Sequence, residues 1–219
     1  MNDQLILNFP IIKNYSKEDF YVSQSNKEAY DFIVSWPKWL KRIVNIFGPQ
    51  GSGKTHISSM LKKKTSVLEI ESSMLNNTIF SKFKTKELLI IKNIDENVSE
   101  EILFSLWNEA LHDNKYFIIT SIKAINRYNF KLKDLKSRVN SCMSIGIKLP
   151  TDELISVILT KRLSDKQIKI DKKNIDFIIK RIDRSYEKIS LFVSILDKYS
   201  LKRASPPNLK LIKEVLKMI

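Results

Sequence analysis

The chain has 219 residues, 43% of them hydrophobic, which allows one sizeable core or a core domain with a small satellite. No apolar run approaches the roughly 20 residues that span a bilayer, and the N-terminus lacks a basic secretory stretch. The single cysteine, Cys142, cannot form an internal disulfide. These features argue against membrane and secreted proteins and predict a cytoplasmic protein. The net charge of +14 has two interpretations of equal weight, namely attraction of nucleic acid or an acidic partner, or a solvated lysine-rich surface that follows from the composition.

Apolar, β-rich runs alternate with helical periodicity as far as Pro150. The predicted strands are 42–47, 66–70, 88–91, 116–120 and 144–147. The predicted helices between them are 54–63, 72–83 and 99–113, the last with Ser99 as its candidate N-cap. Strands that alternate with helices of this length predict an α/β fold with a parallel five-stranded sheet and helices on both faces.

The pattern changes after Pro150, where no strand signal remains. Thr151 can cap a helix whose first turn carries Asp152 and Glu153, and further helices are predicted over 172–181, 185–201 and 208–218. The sequence therefore predicts an N-terminal peptide over 1–10, an α/β domain over 11–150 and a small all-helical domain over 151–219.

A phosphate-binding loop is the most specific motif. The segment 48–55, GPQGSGKT, matches G-x-x-x-x-G-K-[ST], with a predicted strand before it and a helix after it. Glycines let backbone N–H groups surround phosphate oxygens, Lys54 supplies a cation for the β- and γ-phosphates, and Thr55 offers a hydroxyl to Mg²⁺. The candidate nucleotide-binding residues here are Gly48, Pro49, Gln50, Gly51, Ser52, Gly53, Lys54, Thr55 and the adjoining His56, whose ring is expected to pack rather than to act in catalysis.

The acidic motif that usually accompanies such a loop is altered. Nucleotide hydrolases place a metal-binding carboxylate at the end of a buried strand, whereas strand 88–91 is followed by Lys92 and Asn93. Asp95 or Glu96 could substitute if the strand ran longer, about 10 Å further along at 3.3 Å per residue. We therefore expect weak or absent Mg²⁺ binding and weak or absent intrinsic hydrolysis.

Taken together, these motifs resemble the AAA+ family of P-loop NTPases. The resemblance rests on the phosphate loop, the altered acidic strand, Thr120-Ser121 after the fourth strand, Ser137-Arg138 after a short helix, and a helical lid. Within AAA+ the chain is similar to relatives of the bacterial replication initiator DnaA, and most similar to the Hda-like regulators of initiator inactivation. The segments that carry this finer likeness are 20–29, 31–33, 36–39 and 196–201.

The resemblance implies roles for individual residues. Tyr21 and Val22 would flank the adenine of ADP or ATP, Thr120 or Ser121 would be the polar sensor near the γ-phosphate, and Arg138 would be an arginine finger acting in trans. The family's second sensor is a lid arginine, but the matching position falls near Glu187 and not on Arg184, which again disfavours hydrolysis by the chain itself. A surface arginine at a helix end is the alternative for Arg138.

The N-terminal peptide resembles the motif by which many proteins dock on the bacterial DNA sliding clamp. The segment 4–9 reads QLILNF. Gln can hydrogen-bond at a pocket rim while apolar anchors fill the pocket, so the candidate clamp-binding residues are Gln4, Leu5, Leu7 and Phe9. An ordinary first strand or a staple packed on the core is the alternative.

The resemblance implies a regulator that binds adenine nucleotide and the clamp and stimulates hydrolysis of DnaA-bound ATP. Its partners would be the clamp, DnaA and a second copy in a homodimer, with no membrane. The stretch after the predicted lid leaves no room for a helix-turn-helix domain, so we expect any DNA contact to be electrostatic. Two alternatives stay open: a self-sufficient ATPase that uses Asp95 or Glu96, and an accessory DNA-binding protein.

Overall fold

A parallel sheet of five strands organises the first part of the fold. The computed structural model describes residues 20–203 and 205–219. The strands are β1 (Ile43–Phe47), β2 (Val67–Glu71), β3 (Leu88–Ile94), β4 (Tyr116–Ser121) and β5 (Met143–Gly146), in the order β2-β3-β4-β1-β5. All paired neighbours run parallel. The central strands are rich in buried apolar residues, as expected when both faces of the sheet are covered, with the buried Asn45 as a polar exception in β1.

Helices cover both faces of this sheet. The helices of this part are α1 (Lys27–Val34), α2 (Lys54–Ser59), α3 (Thr78–Lys84), α4 (Glu100–His112) and α5 (Lys133–Asn140). On one face α1 and α2 pack Ile33 and Ile57 against the strands. On the other face α3, α4 and α5 contribute Phe83, Leu106 and Leu135. The predicted α/β fold with helices on both faces is confirmed.

Four helices follow the sheet and have an apolar core of their own. They are α6 (Asp152–Asp165), α7 (Lys172–Ile179), α8 (Tyr186–Arg203) and α9 (Leu209–Leu216). The Thr151 hydroxyl accepts a hydrogen bond from the N–H of Leu154 (3.3 Å), which confirms the predicted cap. The helices predicted after Pro150 are therefore present, while the domain limits at 10, 11, 150 and 151 stay predictions. Among the described residues no helix is long and apolar enough to cross a membrane.

Several predicted elements differ in detail. The helix predicted over 54–63 is an α-helix only as far as Ser59 and continues as a 3-10 turn (Met60–Lys63). The helix predicted over 72–83 is broken into a 3-10 turn (Ser72–Met74) and α3, because the Asn76 side chain accepts from the N–H and hydroxyl of Thr78 (2.9 and 2.6 Å) and so starts a new helix. Ser99 is the N-cap residue of α4, but its side chain makes no capping hydrogen bond. Strand β3 runs three residues beyond its predicted end, with a register shift between Ile91 and Ile94.

Candidate nucleotide-binding site

The phosphate loop leaves the carboxyl end of β1 and enters α2. Gly53, the N-cap of α2, has φ 90°, a conformation that glycine adopts without strain. A Cβ added to Gly53 would lie 3.1 Å from the Phe20 ring. The loop backbone therefore depends on the glycine spacing that identified the motif.

Lys54 lies inside this loop. Its Nζ donates hydrogen bonds to the carbonyl oxygens of Gly48 (2.7 Å) and Pro49 (2.8 Å), and the residue is 7% exposed. Burial lowers the pKa of Lys54 to about 8. The Ser52 hydroxyl is also buried, with no hydrogen-bond partner among the described residues. A held ammonium, an unsatisfied hydroxyl and the start of a helix fit the phosphates of a nucleotide.

The predicted adenine-flanking residues lie at the entry to α1. Tyr21 and Val22 are 39% and 37% exposed. The Tyr21 hydroxyl donates to Glu153 Oε1 (2.7 Å), and Asn26 Nδ2 donates to the Tyr21 carbonyl (2.9 Å), so both ends of Tyr21 are fixed. The hydrogen bond to Glu153 and its charge raise the pKa of Tyr21. Their role toward adenine stays a prediction.

Phe20 contributes to the site in a way that its sequence did not indicate. Its ring contacts the loop at Gly53 and packs edge-on against the His56 ring, with centroids 5.3 Å apart. The predicted packing role of His56 agrees with this contact. Phe20 directly precedes Tyr21 and Val22, and only the similarity of segment 20–29 to the family could have singled it out.

The lid also contacts the loop. A Cβ added to Gly51 would lie 3.1 Å from the Tyr186 Cβ, so the first turn of α8 rests on the phosphate loop. The Tyr186 hydroxyl donates to the carbonyl of Lys148 at 3.4 Å. Arg184 instead pairs with Asp152 at 2.9 Å, and Glu187 is exposed. The lid side chain that contacts the loop at Gly51 is therefore that of a tyrosine, and not that of the arginine sensor which the family resemblance would suggest.

The end of β3 carries an ion-pair cluster where a metal-binding carboxylate would stand in a hydrolase. Lys92 Nζ lies 2.8 Å from Glu71 Oε1 and 3.6 Å from Glu69 Oε1, and Glu69 also pairs with Lys62. Burial alone would lower the pKa of Lys92, but the two carboxylates raise it overall. The same contacts lower the pKa of Glu71 against the effect of its own burial. Lys92 is thus a held cation, which opposes a divalent metal at this position.

The two candidate substitute carboxylates make other contacts. Strand β3 does continue to Ile94, but Asp95 Oδ1 accepts the N–H of Asn97 (2.8 Å) and Glu96 Oε1 pairs with Lys123 (2.9 Å). Within 20–203 and 205–219 no three His, Cys, Asp or Glu side chains are grouped to hold a metal. The residues at this strand end do not fit a Mg²⁺ site, and the predicted Mg²⁺ contact of Thr55, at the start of α2, stays a prediction.

The candidate sensor residues Thr120 and Ser121 are both buried at the end of β4. Ser121 Oγ donates to the Lys123 carbonyl (2.7 Å) and accepts from Asn45 Nδ2 (2.8 Å). Its hydroxyl is therefore engaged in hydrogen bonds that stabilise the fold. Thr120 Oγ1 accepts the N–H of Asn93 at 3.1 Å. Among the described residues no acceptor is found for the hydroxyl proton of Thr120, and the sensor role of both residues stays a prediction.

Arg138 lies in the last turn of α5, not after a short helix as the sequence analysis expected. Its predicted place was wrong because the helix continues to Asn140. Arg138 is exposed, with Nη2 donating to Asn108 Oδ1 at 3.2 Å, and α5 packs on the sheet face opposite α2. Its role as a finger stays a prediction. The clamp-binding candidates Gln4, Leu5, Leu7 and Phe9 lie outside the described residues.

Sequence comparison relates the chain to replication initiators. It is 25% identical over 234 residues to the chromosomal replication initiator protein DnaA of Borreliella burgdorferi, covering 94% of this chain and 48% of that protein. It is 27% identical over 214 residues to the DnaA of Borreliella afzelii, covering 85% and 44%. The chain thus spans about half the length of the curated relatives it matches. No protein-family model matches it.

Solved structures share the fold. Domain III of the Thermotoga maritima DnaA superposes with a TM-score of 0.77 at 19% identity, covering 95% of this chain and 98% of that domain. AMPPCP-bound DnaA from Aquifex aeolicus gives 0.70 at 18%, covering 87% and 70%. The Thermotoga maritima RuvB Holliday junction motor gives 0.62 at 16%, covering 81% and 61%. The chain therefore has the AAA+ P-loop fold followed by a group of helices, and its sequence is similar to those of DnaA initiators.

Proposed function

We propose that this chain is an Hda-like regulator of replication initiation, which binds ADP or ATP and promotes hydrolysis of ATP held by DnaA. One observation carries the proposal: a complete phosphate loop coexists with a lysine, Lys92, in the place of the metal-binding carboxylate. Such a site can hold a nucleotide and report its presence, but it lacks the group that orients water in hydrolases.

Binding of an adenine nucleotide is supported by the loop and by the relatives. Two of the similar solved structures are DnaA bound to AMPPCP. In this chain Lys54 and the loop N–H groups would hold the phosphates, while Tyr21 and Val22 would border the base. Mg²⁺, when bound, would neutralise phosphate charge through Thr55, without a carboxylate partner at Lys92. The contact between Tyr186 and Gly51 would couple the bound nucleotide to the lid.

The trans-acting step is assigned to Arg138. A guanidinium that enters a neighbour's site stabilises the negative charge that develops on the transferred phosphoryl group. Arg138 is exposed, and α5 lies on the sheet face away from α2, so its charge is available to a neighbouring subunit. We propose DnaA as that neighbour and the cytoplasm as the location, with a homodimer as a further assembly of the chain.

The test compares Arg138→Ala with Lys136→Ala, an exposed cation on the same helix. Both variants are mixed with ATP-loaded DnaA and DNA-loaded clamp, and conversion to ADP is followed. We expect Arg138→Ala to lose most of the stimulation, which for arginine fingers is roughly 10³–10⁵-fold, and to keep ADP binding. Equal stimulation by both variants would remove Arg138 from the proposal.

Clamp docking is assigned to the N-terminal peptide on the strength of its sequence. Leu7 and Phe9 would fill an apolar pocket, with Gln4 bonded at its rim. Replacing Gln4 and Leu7 by alanine should weaken clamp binding at least about 30-fold, since the loss of even one hot-spot residue costs about 2 kcal/mol. The control replaces Asn2 and Asn8, and binding is measured by surface plasmon resonance. An unchanged affinity of the Gln4 and Leu7 variant would reject peptide docking.

A further inference from the structure

The positive charge is concentrated towards the end of the chain. Residues 166–219 hold fourteen Lys and Arg against six Asp and Glu, so about a quarter of the sequence carries more than half of the net charge of +14. A composition bias alone would spread lysine evenly over the surface. The concentration points to one face of the lid that meets a polyanion.

Helix α9 and the turn that follows α7 form that face. Lys210, Lys213 and Lys217 are exposed, while Leu211, Ile212 and Val215 of the same helix are buried in the lid core. Burial of the opposite side fixes the three lysines outward. They line an open groove of about 430 Å³ together with Leu209 and Glu214. We call Lys210, Lys213 and Lys217, with Arg181 beside them, the lid basic face.

Cations from α9 and from the turn after α7 contact one aromatic ring. The Arg181 guanidinium carbon lies 3.8 Å from the centroid of Phe177, and Lys213 Nζ lies 5.7 Å from it. Both cations are therefore held on the ring of Phe177 in α7. The lid basic face thus extends from α9 to the turn after α7.

The charge of this face is not cancelled within the lid. The carboxylate that lines the groove, Glu214, is engaged by Arg203 at 2.8 Å. In the part of the chain that the structure describes, no ion pair is recorded for Lys210, Lys213 or Lys217. Their ammonium groups are therefore available to an external anion.

We propose that the lid basic face binds the phosphate backbone of duplex DNA without reading its sequence. Lys210 and Lys217 are seven residues apart, about 10 Å along the helix at 1.5 Å per residue. Duplex DNA presents one negative charge per about 1.7 Å of its axis, so this length faces about six phosphates. Proteins that prefer single strands stack bases on open aromatic faces, but the ring of Phe177 is occupied by Arg181 and Lys213.

This site is separate from the phosphate loop and from Arg138, so its test does not depend on the proposed function. Binding of the full chain to a short mixed-sequence duplex is followed by fluorescence anisotropy between about 50 and 200 mM salt. The test variant is Lys210→Gln/Lys213→Gln/Lys217→Gln. The control, Lys41→Gln/Lys82→Gln/Lys84→Gln, removes the same charge from exposed lysines elsewhere. ADP affinity and thermal unfolding of both variants check the fold.

We expect the lid variant to bind at least roughly tenfold more weakly and to lose about one unit of salt slope per lysine removed. The control should stay close to the unaltered chain. The proposal is overturned if the control loses as much affinity as the lid variant, since net charge alone would then act. It is also overturned if a single strand of the same sequence binds more tightly than the duplex, or if the unaltered chain fails to bind at low salt.

Discussion

At the scale of single residues, Lys54 decides how the phosphate loop meets an anion. Its ammonium is buried between the carbonyl oxygens of Gly48 and Pro49, and burial lowers its pKa to about 8. Phosphate oxygens would favour the charged form, so binding and protonation of this group are coupled. The coupling makes nucleotide affinity sensitive to pH in a range where an exposed lysine would be fully charged.

We therefore expect ADP affinity to fall as the pH rises from 7.5 to 9.5, because burial lowers the pKa of Lys54 to about 8. Below that pKa the Lys54 side chain is already protonated in the free protein. Above it, binding must take up a proton, which costs up to about tenfold in affinity per pH unit. Titration calorimetry measures the trend, and Lys54→Met, a weak binder, should show none of it. A flat profile in the unaltered chain would mean that Lys54 stays charged throughout.

The residues of the phosphate loop could be predicted from the sequence, because the glycine spacing of the motif reflects what the local backbone of the loop requires. Phe20 and Tyr186 could not, since each reaches the loop from a distant part of the chain and contacts Gly53 or Gly51 only after folding. The sequence alone does not distinguish Thr120 from Ser121 as the candidate sensor. The structure is needed because Ser121 Oγ accepts a hydrogen bond from Asn45 Nδ2 of the neighbouring strand β1.

At the scale of elements, the ends of β2 and β3 are joined by charge. Lys92 of β3 pairs with Glu71 and Glu69 of β2, and its side chain is 19% exposed. The position of Lys92 directly after the predicted strand could be inferred from the sequence, because the four apolar residues 88–91 are typical of a strand that is buried on both faces. Its partners could not be predicted, because they depend on which strand lies beside β3.

Replacing Lys92 by methionine should destabilise the fold by about 1 kcal/mol at neutral pH, after allowance for partial exposure of the pair. The pKa of Glu71 is lowered from 4.5, so this stabilisation is complete above that value and is lost as the pH falls through the lower folded value. Urea unfolding at pH 7 and pH 3.5 measures both variants. Lys27→Met, which breaks the exposed pair with Asp31, is the control and should change stability by less than about 0.5 kcal/mol. A loss that is equal at both pH values would contradict the pairing.

At the scale of the whole molecule, two parts meet at one loop. The sheet presents the phosphate loop, and the first turn of α8 rests on it through Tyr186. The lid basic face lies on α9 and on the turn after α7, while Arg138 stands on the sheet face opposite α2. Nucleotide at the loop would therefore influence the lid, while the proposed contribution of Arg138 to hydrolysis would act elsewhere. The α/β layout could be predicted from the order of strands and helices, and its likeness to AAA+ proteins came from the motifs, but the lid basic face appears only when α9 packs beside α7.

The most direct test of this account is the fate of ATP bound to the chain alone. The purified protein is loaded with γ-labelled ATP and Mg²⁺, and the bound label is followed over time, with Lys54→Met as the control for binding at the loop. The account predicts that ATP binds and stays intact. Magnesium-dependent release of phosphate that is lost in Asp95→Asn would contradict it and would identify the chain as a self-sufficient ATPase.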